Sequence, residues 1–462
     1  MMIRCIALGL CTSSWLTFSF AQDKGGTGQF RVTTGDQKKL FAQAALVSEA
    51  KEKASGVIVI DRTKAYQTVE GFGYTLTGGS AALLHQLPQS QRSELLKELF
   101  GPAGMGISYL RISIGASDLD DAVFSYDDLP EGMTDVPLAH FNLSRDTVHL
   151  IPLLQEILTI NPKLKIMGSP WSAPVWMKDN RKSKGGSLLP AYYEAYAQYF
   201  VRYLSAMRSL GIRIDALTPQ NEPLHPGNNP SMYMPAEQQR DFISGYLGPA
   251  FEKSGIDTKI IVYDHNCNKP EYPLTILNDP KAKKYVAGSA FHLYEGEITA
   301  LSSVHEAHPD KGLYFTEQWT GAKGDFDGDL FWHVRHVIIG SMRNWSRTAL
   351  EWNLANDPNY DPHTPGGCTE CKGALTIDQD RITRNVSYYI IAHAAKFVVP
   401  GSVRIGSQGP DDLPQVAFLT PQGRQVVILL NEGKSERKLT IQSGALQATI
   451  LMPAGAVGTL VL

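Results

Sequence analysis

The chain has 462 residues, 43% of them apolar, which is enough to bury the core of one large domain and one smaller domain. Charged residues make up 19% of the chain and its net charge is -3, without a basic stripe. This composition excludes a disordered chain and gives no electrostatic footprint for nucleic acid or for an anionic membrane surface, so it favours a neutral substrate.

The first 21 residues have the pattern of an export signal. Arg4 precedes an apolar stretch, and Ser19-Phe20-Ala21 forms a small-x-small cleavage site. A membrane anchor is the alternative, but hydroxyl residues at positions 12–14 interrupt the apolar stretch, which is too short and polar to span a bilayer comfortably. We therefore predict a signal peptide over residues 1–21 and a secreted or periplasmic protein without stable membrane insertion.

Three cysteines remain after removal of this signal: Cys267, Cys368 and Cys371. Cys368 and Cys371 lie in a Gly-rich turn, and in an exported protein this spacing favours a local disulfide over a redox centre, with plain thiols as the alternative. A zinc site would need two more ligands at suitable spacing, and none stands near. No metal is expected.

Residues 22–64 are predicted to form a lead-in that ends in a strand. The part up to Ala54 is rich in Gly, Lys and Gln, whereas Val57-Ile58-Val59-Ile60 is a β-branched run typical of a strand. This strand has no partner before the next region, so we expect it to join a sheet formed later in the chain.

Apolar strands and amphipathic helices alternate over residues 65–397, which is typical of parallel β/α architecture. Helices are predicted at Ser90–Phe100, Leu150–Ile160, Ala191–Leu210 and Ala236–Lys253. Eight strand candidates predict a closed (β/α)8 TIM barrel. These are Phe72–Leu76, Tyr109–Ile114, Lys165–Gly168, Ile214–Leu217, Ile260–Tyr263, Ser289–His292, Leu313–Thr316 and Ala349–Trp352.

The helical pattern ends near residue 398, and strands such as Val416–Leu419 and Gln425–Leu430 then alternate with turns. This predicts a C-terminal β-sandwich over residues 398–462, which the strand near Ile58 is expected to join. The predicted fold class is thus α/β, a barrel with an appended β-sandwich.

Two glutamates follow predicted barrel strands at the end where catalytic loops converge. Glu222 follows the fourth strand and Glu317 follows the seventh. Retaining glycoside hydrolysis needs two carboxyl groups about 5 to 5.5 Å apart, one as nucleophile and one as proton donor. Taken singly, Glu222 is explained as well by a helix cap and Glu317 by a surface salt bridge, but the two together predict catalysis.

Other residues at these strand ends are candidate substrate contacts. Arg111 and Tyr294 are suited to keep a nucleophile ionised, and Asn221 is suited to bond a sugar hydroxyl. His292 would either orient a hydroxyl or satisfy a buried backbone group. Tryptophan rings match the C–H face of a pyranose, although core packing explains each of them about as well. These are Trp171, Trp176, Trp319 and Trp352.

The motifs together resemble glycoside hydrolase family 30, which includes glucocerebrosidase-type enzymes and β-1,6-glucanases. The resemblance covers nearly the whole chain after the signal, in the family's order and spacing. It rests on Gly71-Phe72-Gly73, Leu110-Arg111, Ser169-Pro170-Trp171, Asn221-Glu222-Pro223, His292 with Tyr294, Glu317 after Phe315-Thr316, and Trp352-Asn353-Leu354.

This resemblance implies a barrel joined to a β-sandwich and a retaining mechanism without metal or other cofactor. Glu222 would be the proton donor and Glu317 the nucleophile. It also implies that the subsite for the cleaved sugar is lined by Asn221, Trp171, Tyr294, Arg111 and Trp352.

Two positions depart from the glucocerebrosidase-like pattern. Gly78 stands where that pattern has a hydroxyl-binding Asp, and Leu293 stands where it has a Trp. Loss of a hydroxyl ligand is expected to weaken recognition of a terminal sugar. The segments 72–80 and 225–230 resemble instead the bacterial branch linked to β-1,6-glucan, so a β-glucan of that linkage is the expected substrate.

Three other functions stay open. An exo-β-glucosidase or glucosylceramidase would use the same catalytic pair, and a non-catalytic carbohydrate-binding protein would keep the aromatic platforms. A metallohydrolase would use Cys368, Cys371 and His363. No nucleic-acid partner is expected, and the sequence defines no oligomeric state.

Overall fold

Eight parallel strands close into a barrel in which each strand pairs with the next along the chain and the eighth pairs with the first. The predicted (β/α)8 fold is confirmed. From first to eighth, the barrel strands are Gly71–Leu76, Tyr109–Ser113, Lys165–Ser169, Ala216–Leu217, Lys259–Asn266, Val286–His292, Gly312–Glu317 and Ser346–Asn353.

Side chains fill the barrel interior. Because helices cover the outer face, the strands are buried on both faces and are apolar almost throughout. The first strand contributes Gly73 to the layer formed by its neighbours, since Gly73 pairs with Tyr109 on one side and Leu350 on the other. The inner cluster consists of Tyr109, Met167, Ala216, Ile261, Ala290, Tyr314 and Leu350.

Helices surround the barrel, and all four predicted helices are present with small shifts at their ends. Two short π-helical segments, Ile243–Leu247 and Val334–Gly340, continue neighbouring helices. The α-helices are Gly78–Gln86, Gln89–Phe100, Leu150–Ile160, Tyr193–Ser209, Ala236–Phe242, Gly248–Ser254, Glu271–Leu277, Pro280–Lys283, Ala300–Ala307, Phe326–His333, Ser341–Arg343 and Val386–Ala395.

A nine-stranded sheet forms the second domain. The sulfur of Met452, on the last strand of this sheet, lies 2.9 Å from the position that a Cβ would take at Gly458, on the third strand from the other end. The sheet is therefore folded on itself, and the predicted β-sandwich is confirmed. Its strands, in order across the sheet, are Ala42–Ala44, Gln29–Thr34, Ala456–Val461, Gln425–Asn431, Gln415–Leu419, Val403–Gln408, Gly56–Thr68, Arg437–Ser443 and Leu446–Met452.

The predicted N-terminal strand joins this sheet, because Gly56–Thr68 pairs with Val403–Gln408 and Arg437–Ser443. The preceding lead-in has more structure than its composition predicts, since Gln29–Thr34 and Ala42–Ala44 are also strands. Local propensity does not reveal them because Gln29–Thr34 pairs with Ala456–Val461 at the distant end of the chain, and Ala42–Ala44 pairs only with Gln29–Thr34.

The computed structural model describes residues 28–47 and 54–462. The predicted signal peptide over residues 1–21 lies outside the described residues. Within the two described ranges, no helix combines the length and the apolar character that a membrane crossing requires.

Candidate active site

A pocket of about 350 Å³ opens where the loops after the barrel strands converge. Two of the nine candidate residues, Arg111 and His292, are fully buried and contact its lining from below. The other seven line the pocket, and they are Trp171, Asn221, Glu222, Tyr294, Glu317, Trp319 and Trp352.

Glu222 and Glu317 face the same space from opposite sides of the barrel mouth. One carboxylate oxygen of each and Nδ1 of His292 lie within 4.8 Å of one another. Retaining glycosidases hold their carboxyl groups about 5 to 5.5 Å apart, whereas inverting enzymes need roughly 6.5 to 9.5 Å to admit a water. The pair is therefore spaced for direct attack on a bound sugar.

The backbone at Glu222 turns sharply to aim its side chain inward. Its φ of 43° is in the left-handed region, which a residue other than glycine seldom adopts. Backbone hydrogen bonds hold the turn, because the Glu222 N–H donates to the Asp264 carbonyl at 3.0 Å and the Glu222 carbonyl accepts from His225 N–H at 2.9 Å. Such local strain, over-determined by its surroundings, is common at active sites.

Arg111 is the buried cation on which the nucleophile candidate depends. Its Nη1 donates to Glu317 Oε2 at 2.6 Å, and its Nη2 donates to Asp264 Oδ2 at 2.9 Å. Nη2 also donates to the side-chain oxygen of Asn221. The guanidinium lies 4.7 Å from the ring centre of Trp171, so a cation–π contact supports its position.

Asp264 is the central residue that sequence reasoning missed. Its Oδ1 accepts from Thr316 Oγ1 at 2.7 Å and lies 3.1 Å from Nε2 of His292. Its Oδ2 accepts from Ser169 and Thr218 hydroxyls at 2.9 and 2.8 Å. Burial would raise the pKa of Asp264, but the Arg111 charge and the His292 hydrogen bond hold it well below its usual range. The missed signal was a carboxylate directly after the predicted strand that ends at Tyr263.

His292 connects both glutamates to this network. Its Nδ1 lies 3.2 Å from Glu222 Oε1 and 3.7 Å from Glu317 Oε1. Burial lowers the pKa of His292, but the Glu317 charge and the hydrogen bonds to Asp264 and Glu222 outweigh it and raise this pKa to about 9. The His292 imidazole can therefore hold a proton close to either glutamate.

The resting pKa values of the two glutamates are the reverse of what their predicted roles require. Burial would raise the pKa of Glu222, but the hydrogen bond and charge of His292 lower it to about 2. Burial raises the pKa of Glu317, against the charges of His292 and Arg111. Transfer of one proton from His292 Nδ1 to Glu222 Oε1, 3.2 Å away, would give the protonated acid that the predicted role of Glu222 requires.

Asp118 is a carboxylate of the pocket that the sequence interpretation did not single out. Its side chain lines the pocket, and burial together with the Glu317 and Glu222 charges raises its pKa to about 7. Gly78 does not leave a gap in the site, because a Cβ there would lie 1.6 Å from Asp120 Oδ1. The pocket therefore contains a carboxylate at Asp118, although Gly78 contributes none.

Aromatic rings form one wall of the pocket. Trp171 and Trp352 stack with their centroids 5.4 Å apart and an interplanar angle of 28°, and half-buried Trp319 lies beside them. Trp176 does not belong to this wall, since its ring packs against Tyr192 in the core. Its role is the packing role that the sequence left open.

The opposite wall is polar and was not predicted. It consists of residues from the loops after the fourth and sixth strands and from the end of the fifth strand. Asn228 Nδ2 lies 3.5 Å from Glu222 Oε2, and buried His265 has no hydrogen-bond partner for its Nδ1. The members of this wall are His225, Asn228, His265, Asn266 and Glu295.

Cys368 and Cys371 form a disulfide at the pocket edge, with their Cα atoms 5.8 Å apart. The predicted local disulfide is confirmed, while Cys267 is a free, buried thiol. His363 bonds the Thr364 carbonyl through Nδ1 and lies 3.3 Å from Asp361 Oδ1. A metal site formed by Cys368, Cys371 and His363 would therefore have no free thiolate ligand.

The chain matches the glycosyl hydrolase family 30 TIM-barrel domain over residues 69–398 and the family's beta sandwich domain over residues 401–460. It is 35% identical to an endo-1,6-beta-D-glucanase of Aspergillus fumigatus, over 81% of this chain and 80% of that protein. It is 33% identical to a putative glucosylceramidase of Caenorhabditis elegans, over 87% and 81% of the two chains. The solved structure of the endo-beta1,6-glucanase BT3312 matches with a TM-score of 0.88 and 34% identity, over 94% of this chain and 99% of that one.

Replacement of Asp264 by Asn should destabilise the fold, because Arg111 then loses one of its two buried anionic partners. We expect the free energy of unfolding in urea to fall by about 3 kcal/mol. Asp257→Asn is the matched control, since Asp257 forms exposed ion pairs with Arg208 and Arg213 and should cost less than about 1 kcal/mol. Equal stability of the two variants would contradict the central role of Asp264.

Proposed function

The chain belongs to glycosyl hydrolase family 30 and is a glycoside hydrolase, and on this premise we propose that it cleaves internal β-1,6 bonds of glucan with retention of configuration. The observation that carries the proposal is the pair Glu222 and Glu317, with oxygens within 4.8 Å at one pocket. The proposed linkage draws support from the names of the endo-1,6-beta-glucanases to which the chain is similar over most of its length.

In the first step Glu317 attacks the anomeric carbon of the bound sugar. The bond to the leaving oxygen breaks, and Glu222 gives that oxygen its proton, so a glycosyl ester forms on Glu317. In the second step Glu222 takes a proton from water, the water oxygen attacks the same carbon, and Glu317 leaves as a carboxylate. Two inversions at one carbon give net retention.

Neighbouring groups stabilise the charges that these steps create. Arg111 Nη1 and Tyr294 Oη donate to Glu317 at 2.6 and 3.0 Å, so they favour its carboxylate before attack and after release. His292 lies 3.2 Å from Glu222 and supplies or takes back a proton as Glu222 alternates between acid and base. Asp264 contacts both Arg111 and His292 from below the pocket and so fixes their positions relative to the two glutamates.

Sugar recognition combines the aromatic wall with polar groups. Trp171, Trp319 and Trp352 offer flat apolar surface, and Asn221 and Asp118 offer hydrogen-bonding groups for hydroxyls. A protein that only binds carbohydrate has no need for two buried glutamates that both contact one histidine. We therefore assign catalysis rather than binding alone to this pocket.

Exo-acting β-glucoside or glucosylceramide hydrolysis is the second candidate function. It is favoured by Asp118, because this carboxylate provides the hydroxyl ligand that selective recognition of a terminal sugar requires. The similarity to the putative glucosylceramidase of Caenorhabditis elegans supports the same candidate. Both functions use the same catalytic pair and differ in what surrounds it.

The products from pustulan, a β-1,6-glucan, separate the two functions. We expect early release of a ladder of oligosaccharides, measured by chromatography with time, and little activity on a β-glucosyl lipid. Glucose as the sole early product would favour exo action, and inert pustulan would refute the proposed substrate. Glu317→Gln should abolish the ladder, whereas Glu237→Gln, at an exposed helix position, should retain it.

We also propose that the enzyme is exported. A polymeric glucan lies outside the cytoplasm of a cell that feeds on it, and the Cys368–Cys371 disulfide suits an oxidising compartment. N-terminal sequencing of protein from the culture medium or periplasm should begin near Gln22. Intact Met1 on the active protein would contradict export through a cleaved signal.

A further inference from the structure

A cluster of acidic and imidazole groups lies outside the active-site pocket, in the connection between the second barrel strand and the helix Leu150–Ile160. This connection covers residues 114–149, all of them described, and contains no helix or strand. One carboxylate oxygen each of Asp127 and Asp135 and one ring nitrogen of His140 lie within 4.8 Å of one another. None of these three residues lines the active-site pocket.

Asp127 is the unsatisfied member of this cluster. The residue is only 1% exposed, and neither of its carboxylate oxygens accepts a hydrogen bond from the described residues. Its backbone is anchored, because Trp176 Nε1 donates to the Asp127 carbonyl at 3.1 Å. Burial of a carboxylate without a donor or a cation is costly, so the side chain of Asp127 indicates a partner that binds there.

Asp135 adds a second negative charge at the same place. Its Oδ2 accepts from the backbone N–H of His140 at 2.7 Å and lies 2.9 Å from Nδ1 of the same residue. Burial would raise the pKa of Asp135, but these hydrogen bonds outweigh it and lower the pKa to about 2. Burial and the neighbouring Asp135 charge raise the pKa of Asp127 to about 6. Both carboxyl groups are therefore mainly ionised at neutral pH, and one histidine is their shared neighbour.

A divalent cation has the charge and the size that the cluster accommodates. Ligand atoms bonded to one ion at about 2.0 to 2.6 Å lie no more than roughly 5 Å apart, and the three atoms meet this condition. Two carboxylate oxygens and one imidazole nitrogen suit Zn²⁺, whereas Ca²⁺ and Mg²⁺ take oxygen ligands. The side chain of His140 is 63% exposed, so an ion can enter from solvent and complete its coordination with water.

We propose that Asp127, Asp135 and His140 form a binding site for a divalent ion of the zinc type. The ion neutralises the two buried carboxylates and replaces the proton that they would otherwise have to share. It takes no part in the glycosidic chemistry, which the two glutamates carry out in a separate pocket. The same connection carries Asp118 to that pocket, so the ion stabilises one of the segments that support the active site.

The ion would join two anchored parts of the connection. Asp127 is held by Trp176, and the Leu138 carbonyl accepts from Arg202 Nη1 at 2.7 Å. Residues 128–134 between them are exposed or half-buried and contain no helix or strand. Because few buried contacts hold this stretch, it should open easily without the ion and become more protected when the ion is bound.

Hydrogen exchange of the full-length enzyme locates the ion. The enzyme is first freed of metal with EDTA and dialysed, and peptides over residues 128–140 are then followed by mass spectrometry with and without ZnCl2. Exchange in these peptides should slow about tenfold with Zn²⁺, because binding lowers the population of the open form. CaCl2 or MgCl2 at the same concentration should protect them by less than about twofold, since neither ion favours an imidazole ligand.

Two variants should lose the Zn²⁺ protection without loss of the fold. Asp127→Asn removes a buried unpaired charge, so the metal-free variant should melt no lower than the metal-free wild type. His140→Ala changes an exposed side chain and should melt within about 1 °C of the wild type. Asp121→Asn, at an exposed position of the same connection, is the matched control and should retain full protection.

The position of the protected peptides separates this site from the catalytic pair, which with its histidine meets the same distance condition and can also bind Zn²⁺. Binding at the catalytic pair would persist in both variants and would not protect residues 128–140. Equal protection in the wild type and in Asp127→Asn would overturn the proposed ion site. Absence of Zn²⁺ protection in the wild type would also overturn it and would leave a shared proton between the two carboxyl groups.

Discussion

The buried guanidinium of Arg111 is the interaction on which the rest of the site depends. It is fully buried, and two carboxylates, Glu317 and Asp264, neutralise it from two directions. A charge in such a place is tolerated only when it is paired and hydrogen-bonded on all sides, so the barrel must close accurately around it. Catalytic geometry and stability of the barrel mouth are therefore consequences of the same contacts.

The network also gives two glutamates with similar burial different surroundings, which suit the different roles proposed for them. Glu317 receives fixed donors from Arg111 and Tyr294, which hold one orientation of its carboxylate. Glu222 instead lies 3.2 Å from Nδ1 of His292, a titratable group whose pKa is raised to about 9. A difference in partners, rather than a difference in exposure, therefore distinguishes the proposed nucleophile from the proposed acid and base.

Much of the fold was predictable because the barrel strands are short apolar runs that end in polar loops, and the polar residues at those ends, such as Glu222 and Glu317, converge in the structure. Asp264 and Asp118 were missed because the local sequence pattern does not show whether a single carboxylate side chain points toward the site. The helix Gly78–Gln86 was missed because its glycines are required by close contact with residues 119 and 120, not by helix propensity. In each case the structure depends on contacts between residues far apart in the sequence, which a short stretch of sequence does not contain.

Covalent trapping tests the central claim most directly. A 2-deoxy-2-fluoro-β-glucoside with a good leaving group slows release of the glycosyl intermediate more than its formation, so peptide mass spectrometry of the inactivated enzyme locates the attacking residue. The proposed mechanism predicts a single sugar ester on Glu317. An ester on Glu222 or on another residue would contradict it, and so would full turnover of the reagent by a Glu317→Gln variant.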